Sequence, residues 1–112
     1  MVAIACAREK FYLAILSMAR GEGSLKTRLF DAYLIFHTLR MEDFPEDLRN
    51  EFAEIISKLT ENETPVDDEG IVQATLNAMS DRYAWSLIEK IVKLYDEISR
   101  KYAIELLKNG LL

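Results

Sequence analysis

Glycine and proline are scarce in this chain of 112 residues, with four of the first and two of the second. So few breakers exclude a loop-rich fold and leave long segments free for regular structure. Cys6 is the only cysteine, which excludes an internal disulfide and any multi-cysteine metal site. His37 is the only histidine, and position 34 is leucine, so the Glu-x-x-His pair of di-iron bundles is missing. The longest apolar run in the body of the chain, Phe11–Leu16, is far short of the roughly 20 residues that cross a bilayer. The apolar opening Met1–Ala7 lacks the basic stretch of a secretory leader. Within it, Ala3-Ile4-Ala5-Cys6 faintly resembles a lipoprotein cleavage box, but it lies too near the first residue to follow a signal peptide. The expected location is cytoplasmic, with no membrane partner. Period-two alternation, the strand signature, occurs nowhere.

What is present is globular: 50% of the residues are hydrophobic and 29% are charged. The length suits a single helical domain over residues 1–112, burying roughly 60–70% of its unfolded surface without a staple. The net charge of −5 is unevenly spread. Residues 1–40 carry six bases against three acids, +3, and residues 41–82 carry three bases against twelve acids, −9. No overall basic footprint exists, so direct nucleic-acid binding is not expected. A helix-turn-helix reading also fails, because the second helix is too apolar and holds its bases only at its ends.

Apolar spacing predicts a bundle of about five amphipathic helices, an all-α fold. The first runs over 5–20, with Phe11, Tyr12, Ile15, Leu16, Met18 and Ala19 at helical spacing, and ends at Gly21-Glu22-Gly23. Ser24 is a natural N-cap for the second, over 25–40, which is apolar around most of its circumference. Such a helix is central to a core or covered by a partner. Asp43 and Pro45 open the third, whose face Phe44, Leu48, Phe52, Ile55, Ile56 and Leu59 ends near Thr60. Thr64 and Pro65 are expected to start a fourth, carrying Ile71, Val72, Leu76 and Met79 and weakened by Gly70. Ser80 or Asp81 caps the fifth and longest, which reaches about Asn109 with a heptad-like seam of Ala84, Ile88, Ile91, Tyr95, Ile98 and Tyr102.

Few residues suggest chemistry. Arg20, Ser24, Lys26 and Arg28 flank a glycine loop before a helix start, a place receptive to an anion. The phosphate-loop spacing is absent there, and Glu22 opposes an anion, so a turn between antiparallel helices is the simpler reading. Asp67-Asp68-Glu69-Gly70 has the wrong order for a calcium loop and fits a helix start instead. His37 reads as structural, and Cys6 as a small buried apolar residue. No catalytic group, metal site or cofactor is expected, and the balance favours a non-enzymatic protein.

Three functions remain, in order. The first is a helical protein–protein interaction or regulatory protein, self-associating as a homodimer or held by another protein. Its candidate interface residues are Tyr33, Phe36, Trp85, Ile91, Tyr95 and Tyr102, since aromatic side chains suit surfaces half apolar and half wet. The second is an acidic inhibitor whose −9 segment docks on a basic, nucleic-acid-binding protein surface. The third is an anion or small-molecule binder, or an enzyme, built on the Arg20–Arg28 loop.

Overall fold

The computed structural model describes residues 3–62 and 68–110. Five helices form, Gly70 in α4 being the one breaker inside them: α1 (Ala3–Arg20), α2 (Leu25–Phe36), α3 (Arg49–Leu59), α4 (Asp68–Ala78) and α5 (Asp81–Lys108). Among the described residues there is no strand, and the protein is an all-α bundle around one cluster of buried side chains. The expected caps of α2 and α5 are in place. The Ser24 hydroxyl accepts the Thr27 N–H at 3.2 Å, and the Ser80 hydroxyl accepts the Tyr83 N–H at 3.1 Å. Gly23, with φ +95°, turns the chain between α1 and α2 through a conformation that other residues rarely adopt.

Two boundaries differ from expectation. Helix α2 stops at Phe36 rather than near Arg40. The Asp43 carboxylate, expected to cap α3, instead takes the Arg40 N–H at 2.7 Å and closes a 3-10 turn at Met41–Asp43. A short acidic side chain thus offers the backbone an acceptor that competes with the helix. A second 3-10 turn, Glu46–Leu48, follows Pro45 and leads into α3 at Arg49. Arg49, placed by its spacing on the wet side, turns inward. Its Nε donates to the Met41 carbonyl at 3.0 Å and the Phe44 carbonyl at 3.1 Å, tying the turn to α3. The expected Thr64 cap and Pro65 helix start lie outside the described residues.

An aromatic cluster joins the first half of the chain. Phe11 of α1 stacks on Phe36 of α2 at 4.9 Å, and Phe44 stacks on Phe52 of α3 at 4.3 Å. Edge-to-face contacts at 6.0–6.3 Å link the two pairs. All four rings are buried. Thr75 of α4 ties down the chain after α3: its hydroxyl accepts the Asn62 N–H at 3.0 Å and donates to the Ile71 carbonyl.

Helix α2 contacts α1, α4 and α5, so it occupies a central place. Helix α5, about 42 Å long at 1.5 Å per residue, runs most of the longest molecular dimension, 47 Å. Its core side chains are Ala84, Leu87, Ile91, Leu94 and Ile98. The expected seam is therefore rotated: Leu87 and Leu94 enter the core, while Ile88, Tyr95 and Tyr102 form a half-buried shoulder. A stripe this wide leaves several angular settings open, and packing chooses among them.

Candidate functional site

The glycine loop does not gather its cations. Arg20 lines a groove between α1 and α2, with Lys10 and Asp31. Ser24 and Lys26 line a separate cleft against Gln73, Leu76 and Asn77 of α4. Arg28 lines a third, beside Trp85. The Ser24 hydroxyl is engaged as the helix cap, with the Thr27 hydroxyl also at 3.0 Å. Three basic side chains in three clefts offer no common anion site, because the first turn of α2 carries neighbouring residues to different faces.

The six interface candidates separate into two groups. Tyr33, Phe36 and Ile91 are core residues, at most 5% exposed, and no partner reaches them while the fold is intact. Their helices are enclosed by neighbours on the side where they point, so these three are removed from the interface. Tyr95 and Tyr102 are half-buried on the α5 shoulder. The Tyr95 ring meets Tyr12 of α1 at 6.3 Å, and the Arg8 guanidinium lies 5.2 Å over the Tyr102 ring. These pairings run in opposite directions along the two helices, so α1 and α5 are antiparallel. Trp85 is exposed, at 56%.

Around Trp85 the structure assembles an apolar face from α1 and α5. Tyr12 (48%) of α1 and Val92 (44%) of α5 are exposed on this side, whereas exposed Leu13 (39%) faces the groove against α2. Half-buried Ile15 and Ile88 fill the space between α1 and α5. On its other side α1 borders a groove of about 700 Å³, floored by Leu13, Leu16, Leu34 and Ile35 and flanked by Lys10, Arg20 and Asp31. Helix α1 is thus apolar over its core face and much of its outer face. The signal was present in the sequence: Tyr12, Leu13, Leu16 and Ala19 cannot all share one side with Phe11, Ala14 and Met18. Farther along α5, Ile104 and Leu107 are also exposed.

The acidic segment is less charged in space than along the chain. Lys101 pairs with Asp47, Lys90 with Glu54 at 2.7 Å, Lys58 with Glu61 at 3.2 Å and Arg40 with Glu42 at 3.5 Å. The Lys101 and Lys90 hydrogen bonds hold Asp47 and Glu54 below their ordinary carboxylate range. Glu51 behaves oppositely: partial burial and then the nearby Glu97 carboxylate raise it. Two lysines of α5 thus cover charge that the acidic segment alone presents as unbroken.

His37 follows α2, exposed, its ring stacked on Tyr33 at 5.1 Å. Cys6 is exposed rather than buried, because Ile4, Ala7 and Phe11 take the core face of α1. Among the described residues no three His, Cys, Asp or Glu side chains are grouped to hold a metal ion, and no helix is long and apolar enough to cross a membrane. Comparison of the chain with protein-family models, curated proteins and solved structures found no match.

Proposed function

We propose that this is a non-enzymatic helical protein that acts by protein–protein contact, with a second copy of itself as the first partner. The observation that carries this reading is the apolar face with Tyr12 of α1 and Trp85 and Val92 of α5, exposed on two antiparallel helices. An exposed apolar face that includes a tryptophan favours burial against another protein. On α5, the exposed acids Glu89 and Asp96 stand within a turn of Trp85 and Val92, Asp96 paired with Arg100 at 3.1 Å.

Sedimentation equilibrium tests the reading. The native chain is expected to form a dimer with a Kd tighter than about 10 µM, or about −7 kcal/mol. The double variant Trp85→Glu, Val92→Glu should be monomeric with an unchanged far-ultraviolet circular dichroism spectrum, since both side chains are exposed. A native chain that stays monomeric up to roughly 100 µM would remove self-association.

A further inference from the structure

Beside Trp85 lies a cleft of about 260 Å³ whose lining is apolar except for one group. Ile15, Met18 and Ala19 come from α1, Leu25 from α2, and Trp85, Ile88 and Val92 from α5. The exception is Arg28. Its side-chain stem is held at the α1–α2 turn, where glycine at position 21 leaves it room. A Cβ on Gly21 would stand 3.0 Å from Arg28 Cγ and 3.0 Å from the Ser17 carbonyl oxygen. The Arg28 Nε is shut off from solvent and has no acceptor among the described residues. No carboxylate among the described residues lies within ion-pair distance of its guanidinium either.

The cleft thus carries one cation, a guanidinium with no acid partner among the described residues and a buried Nε without an acceptor. Leaving such a donor unpaired is unfavourable, and a carboxylate satisfies it with two parallel hydrogen bonds. The walls at the same time favour an apolar body over water. We propose that this cleft binds a small monocarboxylate with a short apolar tail, its carboxylate on Arg28 and its tail between Ile15, Ile88 and Val92 beneath the Trp85 indole. The volume lies just below the range of drug-sized pockets, which limits the ligand to something the size of octanoate. Of the anion site expected at Arg20, Ser24, Lys26 and Arg28, this cleft uses Arg28 alone; the other three face other clefts. Trp85 and Val92 also belong to the face proposed for self-association, so ligand binding is measured at a protein concentration well below the dimer Kd.

Trp85 is the only tryptophan in the chain, so its fluorescence reports directly on the cleft. The experiment titrates octanoate into the intact protein, with octanol and octylammonium as tail-matched controls. Octanoate is expected to give a saturable change with a Kd of about 1 mM or tighter. It should bind at least roughly ten-fold more tightly than octanol, the difference one charge-assisted pair supplies. Arg28→Gln should abolish that preference while retaining weak binding of both tails. Ala19→Phe, at an exposed rim position, should block octanoate and octanol alike without touching Arg28. Equal affinity for octanoate and octanol, an unchanged preference in Arg28→Gln, or native binding by Ala19→Phe would each overturn the assignment. So would the lack of any saturable change up to roughly 10 mM. Sedimentation in the same buffer, with and without octanoate, separates this result from the oligomeric state.

Discussion

Replacing Phe52 by alanine tests whether the aromatic cluster is what joins α3 to α1 and α2. The ring is 2% exposed and meets Phe44 at 4.3 Å, Phe11 at 6.1 Å and Phe36 at 6.3 Å. Truncation removes the transfer free energy of the ring and leaves a cavity between helices that cannot fully close, costing about 3–5 kcal/mol. A domain of this size has roughly 5–15 kcal/mol in total, so the variant should fold but only marginally. With a urea dependence of about 1–3 kcal/mol per molar, the midpoint should fall by roughly 2 M. Urea denaturation followed by circular dichroism at 222 nm and by Trp85 fluorescence provides the measurement. The double cycle with Phe44→Leu and Phe52→Leu should show about 1 kcal/mol of coupling for the stacked pair. A loss under about 1 kcal/mol for Phe52→Ala would refute the reasoning, because an uncollapsed cavity of that size cannot be so cheap.

Ile91→Asp places an unpaired charge at a position with 0% exposure and should leave the chain unfolded at 25 °C by circular dichroism, whatever its oligomeric state. Tyr33→Arg should act the same way, so neither substitution reports on an interface, whereas Trp85→Glu does. Ser80→Ala removes the acceptor of the Tyr83 N–H and should cost about 1 kcal/mol, or roughly 4–8 °C in Tm by scanning calorimetry. Glu51 is raised in the folded chain, so its favourable contribution is complete below the ordinary value of 4.5 and is lost as pH rises through the folded value. Glu51→Gln should therefore raise Tm at pH 7 by roughly 1–3 °C and make no difference below about pH 4. Asp47 and Glu54 act with the opposite sign, since lowered carboxylates stabilise above their ordinary values and stop doing so as pH falls.

Much of the fold was legible because it rests on local rules. The scarcity of glycine and proline, the spacing of apolar residues and the serines at 24 and 80 are read within one or two turns of chain, and they set five helices and both caps. Even the exposed surplus on α1 was written there, since Tyr12, Leu13, Leu16 and Ala19 exceed what one buried face can hold. Other features depended on distance in sequence. The acids at 47 and 54 meet their lysines 54 and 36 residues away, so no window along the chain shows that they are paired. Arg28 and Trp85 share a cleft only because α1 and α5 pack antiparallel, and the cations of the glycine loop part company only because α2 turns them to different faces. Which flank of a broad apolar helix enters the core is likewise a tertiary choice: Leu87 and Leu94 went in, and Ile88 and Tyr95 stayed at the shoulder. Periodicity decides that a face exists, because the backbone repeats every 3.6 residues. Packing alone decides what that face meets, because complementary surface is supplied by residues far away in the chain.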